Sequence, residues 1–305
     1  METKQEINAN THLPKDKKDW YDNWYKIILI LPVLVMILSL IYLGYFYAKT
    51  GDIMLKDTSL SGGTTITING DVDLNGLSSS LKSDFSDLNT RKLTDISSGK
   101  VTSSVIESSA KPDQLKPAVE KYLGYKLTEE NSTIEFIGSS LSQSFYKQLI
   151  FALIISFILM SITIFIIFRT FVPSIAVIFA AFGDIIMPLA LIDVLGIKLS
   201  AAGIAAFLML VGYSVDTDIL LTTRALRTKG GTLNHRIYRA FKTGSFMTIT
   251  ALITVLPAFF IITGLPDSFR QIFFILALGL VADLVNTWLT NASIIKWYCE
   301  AKKIE

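Results

Sequence analysis

Cysteine, histidine and charge are all scarce in this chain. Its 305 residues include one cysteine, Cys299, and two histidines, His12 and His235. A single cysteine excludes an intramolecular disulfide framework and any cysteine-rich metal site, and two histidines do not make a zinc centre by themselves. Only 18% of the residues are charged, and the net charge of +2 gives no reason to expect a nucleic acid as partner. The sequence also lacks a G-x-x-x-x-G-K-[ST] phosphate loop.

Apolar residues make up 51% of the chain, and the mean hydropathy is +0.49. This composition is typical of membrane proteins. Six apolar runs are long enough to cross about 30 Å of hydrocarbon at about 1.5 Å per residue. They cover residues 25–48, 148–168, 171–193, 197–221, 243–264 and 272–296. The first run is too long for the core of a signal peptide, so we expect a retained span.

Basic residues predict the direction in which the spans run. The connection after the fourth span, residues 222–242, carries lysines and arginines but no acidic residue. By the positive-inside rule this loop lies in the cytoplasm. If the chain crosses the membrane six times, the tails 1–24 and 297–305 lie in the cytoplasm as well. The segment 49–147, between the first span at 25–48 and the later spans within 148–296, must lie outside.

The segment 49–147 has the pattern of a separate α+β domain. Alternating and β-branched residues predict strands, while Gly, Pro and Asp mark turns and helix ends. The predicted elements are strand 53–69, helix 73–85, strands 90–96 and 101–108, helix 112–124 and strand 132–137. The order β-α-β-β-α-β is the ferredoxin-like pattern. We therefore predict a polytopic α-helical membrane protein with six transmembrane helices and one external ferredoxin-like domain between the first two.

Four aspartates interrupt the apolar spans, where an ionisable side chain costs roughly 2.5 to 3.5 kcal/mol to insert. Asp184 and Asp283 lie near the midpoints of the third and sixth spans. Asp216 and Asp218 lie roughly 9 to 12 Å from the midpoint of the fourth span, towards the cytoplasm. About 200° of helix rotation separates these two, so they cannot share one pocket. We expect one to face the bundle and the other a neighbouring helix or the interface, with Asp216 the more deeply buried.

Three roles are open to these carboxyl groups. A buried carboxyl group without a fixed cation can take up and release protons, as a proton relay requires. Alternatively, Arg224 or Lys242, close to the cytoplasmic end, holds Asp216 or Asp218 ionised in a salt bridge. In the third role, an aspartate only hydrogen-bonds to the next helix and stabilises its packing. The spacing alone does not choose between these roles.

Several short motifs, taken in order, resemble one family of membrane proteins. They are Gly183-Asp184, LGI at 195–197, LVGYSVDTD at 210–218, Arg224, and Gly62-Gly63-Thr64 in the external segment. These stretches resemble SecF, the smaller partner of SecD in the auxiliary complex of the protein-export translocon. One external domain with six spans is also similar to half of a resistance-nodulation-division transporter. The resemblance covers essentially the whole chain from the first span onward.

Three departures from the bacterial motifs point to the archaeal branch of that family. The bacterial fourth span has a carboxylate where this chain has Thr217, which is flanked by Asp216 and Asp218. Lys242 is the nearest counterpart of a bacterial arginine that enters the fifth span. Ser59 replaces the aspartate of the external strand motif. These replacements leave open which residue would carry a proton.

The resemblance implies an auxiliary subunit of the export translocon in the cell membrane. Its partners would be a SecD-like subunit, a SecYEG-type translocon, an unfolded polypeptide in transit and the lipid bilayer, with no cofactor and no nucleic acid. The proton gradient would drive movement of the external domains. Two alternatives remain, an exporter of small molecules or lipids from the same superfamily and a scaffold that makes no use of protons. An enzyme is not expected, because the sequence shows no nucleophile and base pair, metal cluster or cofactor loop.

Overall fold

Helices make up most of the computed structural model, which describes residues 20–95, 98–228, 230–261 and 267–304. In chain order the elements are α1 (Trp20–Thr50), α2 (Thr58–Ser61), β1 (Gly63–Asn69), α3 (Leu74–Leu81), β2 (Asn89–Thr94), β3 (Val101–Ser108), α4 (Pro112–Leu123), β4 (Ser132–Ile137), α5 (Ser139–Phe168), α6 (Phe171–Val194), α7 (Ala201–Arg227), α8 (Leu233–Ile261), α9 (Asp267–Val285), a π-helical segment (Asn286–Asn291) and α10 (Ala292–Lys302). Most of the predicted N-terminal tail (1–19), the end of the fifth span (262–264), residues 96–97 and Lys229 lie outside the described residues.

Six of these helices are long and apolar enough to cross a membrane. They are α1, α5, α6, α7, α8 and the continuous run formed by α9, the π segment and α10. The predicted number of spans is confirmed. Several helices continue past the apolar runs, because polar residues beyond the hydrocarbon still complete helical hydrogen bonds. For example, α5 begins at Ser139 and α7 continues to Arg227.

The membrane helices differ in how much of their surface they bury. Over their most apolar 18 residues, α6 and α7 are each 56% buried, whereas α5 is 6% buried and α8 17%. Helices α6, α7 and α9 therefore form the centre of the bundle, with α1, α5 and α8 around it. On α7 the buried residues Leu210, Ser214, Leu221 and Ala225 recur at helical spacing. This stripe faces the centre of the bundle.

The segment between α1 and α5 folds into a four-stranded antiparallel sheet with the strand order β2-β3-β1-β4. Helices α3 and α4 pack against it, and Ile66, Ile106 and Leu115 belong to their fully buried shared core. Asp73 caps α3 by accepting a hydrogen bond from the Gly76 amide at 3.1 Å. The predicted ferredoxin-like arrangement is confirmed.

The first half of the segment predicted as a strand, 53–69, does not form a strand. Asp57 accepts a hydrogen bond from the Ser59 amide at 2.9 Å and so caps the short helix α2. Gly62, with a φ of +86°, ends that helix, and β1 begins only at Gly63. A carboxylate cap and a glycine with positive φ favour a helical turn here over the strand preference of the residues that follow.

Gly62, Gly63 and Thr64 join α2 to the sheet. Gly63 has a φ of +138°, and a Cβ atom there would lie 2.3 Å from the Ser108 carbonyl oxygen at the end of β3. Thr64 is fully buried and donates through Oγ1 to the Ala110 carbonyl oxygen at 2.6 Å. The motif therefore allows a close approach of two backbones where the linker enters the sheet.

The linker before the sheet is hydrogen-bonded to the connection between α6 and α7. The Leu55 amide donates to Asp193 Oδ1 at 3.0 Å, and the Leu199 amide donates to the Leu55 carbonyl oxygen at 2.6 Å. The Ala201 amide, in the first turn of α7, donates to Ser59 Oγ at 2.9 Å. The sheet domain is thus tied to the ends of α6 and α7, in addition to its covalent connections with α1 and α5.

A buried lysine joins three helices at the opposite end of the bundle. Lys296 of α10 is 1% exposed, and its ammonium group contacts Asp22 of α1 and Asn234 of α8. The rings of Tyr21 and Tyr25 lie 4.7 and 5.4 Å from the ammonium nitrogen. A buried charge is tolerated when it has an anion and further polar or aromatic contacts of this kind. Lys296 therefore holds the start of α1 against α8 and α10.

We expect Gly63→Ala to destabilise the protein by about 2 kcal/mol or more, because alanine disfavours positive φ and its methyl group would meet the β3 backbone. A thermal melt of the purified full chain measures this loss. Gly138→Ala is the matched control, since Gly138 has an ordinary φ of −64° and a Cβ atom there meets no atom within 4 Å. Equal melting of both variants would contradict the role assigned to Gly63.

Candidate functional site

The structure brings three of the four intramembrane aspartates together. Asp184 of α6, Asp218 of α7 and Asp283 of α9 are each fully buried, at 0% exposed. Their helices are neighbours in the centre of the bundle, and the three carboxyl groups are close enough for their charges to interact. We refer to Asp184, Asp218 and Asp283 as the aspartate cluster.

One threonine hydroxyl group bridges two carboxyl groups of the cluster. Thr287 Oγ1 lies 2.9 Å from Asp218 Oδ1 and 3.0 Å from Asp283 Oδ1. Asn291 Nδ2 donates to the same Asp218 oxygen at 2.7 Å. Asp218 and Asp283 therefore share one hydrogen-bond donor, although they lie on different helices. Because α7 continues to Arg227, Asp218 lies closer to the middle of its helix than the apolar run indicated.

Asp283 also receives hydrogen bonds from two further helices. Thr217 Oγ1 of α7 lies 2.9 Å from Asp283 Oδ1, and Thr248 Oγ1 of α8 lies 3.1 Å from Asp283 Oδ2. Thr217 is the residue at which the resemblance to bacterial SecF places a carboxylate. In this chain a buried hydroxyl group occupies that position, and the neighbouring carboxyl groups are on Asp218 and Asp283.

Asp184 is held by a serine and an asparagine. Ser214 Oγ of α7 donates to Asp184 Oδ2, and Asn286 Nδ2 donates to Asp184 Oδ1 at 2.7 Å. Gly183 makes room for this asparagine, because a Cβ atom at Gly183 would lie 2.7 Å from Asn286 Nδ2. The glycine beside the aspartate thus has a steric role in the site.

The π segment supplies three of the donors to the cluster. Asn286, Thr287 and Asn291 all lie on it, and all are buried. A π turn holds more residues than an α turn, so it changes the direction of the side chains that follow and is often found at functional sites. Sequence reasoning missed these residues. The signal was a cluster of amides and hydroxyls, NTWLTN, inside an otherwise apolar span.

Asp216 lies apart from the cluster. Its side chain is exposed, while Asp218 is fully buried, so the expectation that Asp216 is the more deeply buried of the two is wrong. The predicted rotation between them is confirmed, since one faces the bundle and the other does not. Asp218 continues the stripe that passes through Leu210, Ser214 and Leu221, and this spacing was the signal that favoured Asp218.

Neither predicted cation reaches the cluster. Arg224 Nη1 donates to the Arg239 carbonyl oxygen at 2.7 Å and to Thr243 Oγ1 at 2.9 Å, which joins α7 to α8. Lys242 is exposed on α8. Across the described ranges, no Lys, Arg or His nitrogen lies within 4.0 Å of a carboxylate oxygen of the cluster. The same part of the chain contains no group of three His, Cys, Asp or Glu residues arranged to hold a metal ion.

Most of the chain has counterparts among known membrane proteins. Residues 118–301 match the family described as protein export membrane protein SecD/SecF, C-terminal. The protein-export membrane protein SecF of Methanolacinia petrolearia is 34% identical over 277 residues, which cover 90% of this chain and 93% of that relative. This chain belongs to the SecF family. The SecF of Methanocaldococcus jannaschii is 35% identical over 290 residues, covering 92% of this chain and 99% of that protein.

The SecF fold is also present in a solved structure of a longer protein. SecDF of Thermus thermophilus, described as a translocon-associated membrane protein, matches with a TM-score of 0.73 at 16% sequence identity. The match covers 93% of this chain and 39% of the SecDF chain. The likeness confirms the fold of six membrane helices and one sheet domain. This SecF-family chain is a multi-pass membrane protein.

We expect Gly183→Ala to destabilise the bundle by about 1 to 2 kcal/mol, because the methyl group displaces Asn286 from Asp184 and this loss outweighs the gain in helix propensity. Gly212→Ala is the control within α7, since a Cβ atom there meets nothing within 4 Å. It should melt at the same temperature as the unmodified chain or slightly above it. A Gly183→Ala variant as stable as Gly212→Ala would show that Asn286 does not need this space.

Proposed function

We propose that this chain is the SecF subunit of an export complex. It acts with a SecD-like partner beside a SecYEG-type translocon and promotes the outward movement of an unfolded polypeptide, driven by protons that enter and leave the aspartate cluster. The observation that carries this proposal is a set of three fully buried carboxyl groups whose described donors are hydroxyl groups and amides rather than cations. The names of the relatives support the export role.

The hydrogen bonds of the cluster leave carboxyl oxygens that can accept a proton. The Thr287 hydroxyl group has one proton, so it donates to either Asp218 or Asp283 at one time. The second of the two carboxyl groups forms a hydrogen bond with Thr287 only when it is itself protonated, because it then donates to Thr287 Oγ1. Asp218 Oδ2 is buried and has no hydrogen-bond partner among the described residues. A proton that moves between these carboxyl groups therefore changes the hydrogen bonds between α7 and the last span.

Proton movement supplies energy on the scale that a domain movement needs. One proton that crosses a potential of roughly 100 mV releases about 2.3 kcal/mol. This energy shifts a two-state equilibrium about fiftyfold. The sequence contains no nucleotide loop that would supply energy in its place.

The orientation that fits this function puts residues 1–24, 222–242 and 297–305 in the cytoplasm and 49–147 outside. The excess of arginine and lysine in residues 222–242, which include the end of α7 and the start of α8, supports it. The sheet domain contacts the connection between α6 and α7, which lies at the other end of the bundle, as this orientation requires.

The outer surface of the bundle supports a SecD-like partner. Large apolar side chains are exposed along α5 and α8, among them Phe151, Ile158, Ile162, Phe246 and Ile253. In a membrane such a surface contacts lipid or another membrane protein. Because this chain matches 39% of the SecDF chain, a separate partner would supply further parts of that longer protein.

We expect Asp218→Asn to slow export by up to about fiftyfold, because asparagine keeps the shape and polarity of the side chain but carries no exchangeable acid proton. Asp216→Asn makes the same chemical change on the exposed face of α7 and should leave export unchanged. Export is followed as the amount of a reporter protein that appears outside cells or enters membrane vesicles.

Co-purification with the partner subunit and a thermal melt establish that both variants are folded and assembled. Loss of export in Asp218→Asn with assembly retained is the expected result. Normal export in an assembled Asp218→Asn complex would remove the proton-driven mechanism and leave a scaffold as the function.

A further inference from the structure

A cavity of about 430 Å³ lies where the sheet domain meets the bundle. Its walls come from the linker, strand β2, the connection between α6 and α7, and the facing ends of α8 and α9. Three of the side chains that line it are cationic. They are Arg91 of β2, Lys198 of the α6–α7 connection and Arg270 of α9. Cations from three separate elements thus converge on one space outside the aspartate cluster.

One buried carboxylate neutralises part of this charge. Glu107 of β3 is 2% exposed, and its oxygens lie 2.7 Å from Arg91 Nη1 and 3.8 Å from Lys198 Nζ. Asn89 Nδ2 also donates to Glu107, at 3.2 Å. The contact with Lys198 is too long for a hydrogen bond, so the ammonium group keeps protons for another acceptor.

Arg270 has no carboxylate partner among the side chains that the structure describes. Its Nε is buried and makes no hydrogen bond there, and its guanidinium group lies 5.1 Å from the centre of the Phe259 ring. Stacking on an aromatic ring orients a guanidinium group without neutralising it. A partly buried arginine in this state is stabilised when an anion completes the ion pair.

The remaining wall of the cavity has polar residues, among them Asn89, Ser200 and Gln271, and an apolar part. The apolar side chains that line it are Leu93, Ile197, Phe259 and Phe274. The cavity also lies beside the ends of membrane-spanning helices, where lipid headgroups are found. A molecule that has an anionic group and an attached apolar part can contact both the cationic side chains and the apolar side chains of the cavity.

We propose that this cavity binds the phosphate group of an amphiphilic molecule through Arg91, Lys198 and Arg270. Phosphate fits three cations that approach from different elements, because its oxygens accept hydrogen bonds in several directions and pair with both arginine and lysine. The phosphate belongs either to a membrane phospholipid or to a free phosphate ion, and the apolar wall favours the phospholipid. Binding would connect the sheet, the α6–α7 connection and α9 through one anion, whether or not the aspartate cluster moves protons.

Asp57 makes this binding depend on pH. Burial raises the pKa of Asp57 to about 6, Glu107 adds to the rise, and Ser59 and Arg91 oppose it. The charged groups around Asp57 in the cavity region are Arg91, Glu107, Lys198 and Arg270. Above pH 6 the Asp57 carboxylate opposes an anion, and below pH 6 the protonated group no longer does. Binding of a phosphodiester, whose own charge is constant in this range, should tighten as the pH falls through about 6.

The test measures Kd for the purified full chain in a non-ionic detergent by native mass spectrometry. The probes are a short-chain phosphatidylglycerol, a diacylglycerol of the same chain length that lacks phosphate, and inorganic phosphate. We expect the Kd for phosphatidylglycerol to rise about tenfold or more in Arg270→Gln and in Lys198→Gln, because each variant loses a charge-assisted contact. Lys126→Gln removes an exposed lysine of the same domain and should leave the Kd unchanged.

A thermal melt without ligand first shows that the variants are folded. Each binding result then supports or overturns the proposal. Binding of phosphatidylglycerol alone supports a phospholipid site, and binding of inorganic phosphate as well supports a site open to the free ion. Equal binding of diacylglycerol, an equal loss in Lys126→Gln, or no binding of either phosphate probe overturns the proposal. Asp57→Asn should bind at neutral pH as tightly as the unmodified chain does below pH 6, and an unchanged pH profile in that variant would exclude Asp57 as the cause.

Discussion

Carboxyl groups inside an apolar bundle must be hydrogen-bonded, and this requirement accounts for much of the bundle's construction. The donors come from hydroxyl and amide side chains on α7, α8 and the π segment, so four helices have to approach one another closely. Gly183 leaves room for one of these donors, and the wider turn of the π segment presents three of them. Because neutral donors fill these positions, the site keeps its polarity without holding a fixed positive charge.

The helices that carry the buried carboxyl groups are also those that hold the sheet domain. Asp193 of α6 and Ala201 of α7 bond to the linker, and Gln271 of α9 bonds to the α6–α7 connection through the Ser200 amide at 2.8 Å and the Lys198 carbonyl oxygen at 2.7 Å. The base of the domain is therefore hydrogen-bonded directly to α6 and α7 and, through the connection between them, to α9, which are the three helices that carry the cluster.

Rules that depend on neighbouring residues predicted the sheet domain well. Pro112 starts α4 and Gly124 ends it in the left-handed conformation, because both effects act within one turn. The choice between Asp216 and Asp218 depends on which face of α7 packs against α6 and α9. The stripe through Leu210 and Leu221 indicates that face, whereas the bounds of the apolar run do not. The direction of Thr287 follows from a π turn, and sequence periodicity assumes α-helical turns throughout. The phosphate cavity was not predictable either, since its cations lie on elements far apart in sequence.

The contact between Asp22 and Lys296 has a consequence for the synthesis of the protein. The two residues are 274 positions apart, at the start of the first membrane helix and near the end of the last. The ribosome delivers α1 to the membrane long before it makes Lys296, so α1 waits without this ammonium group until the final span is inserted. A chain that stops early therefore never forms this ion pair, and the start of its first helix is not fastened to the last span.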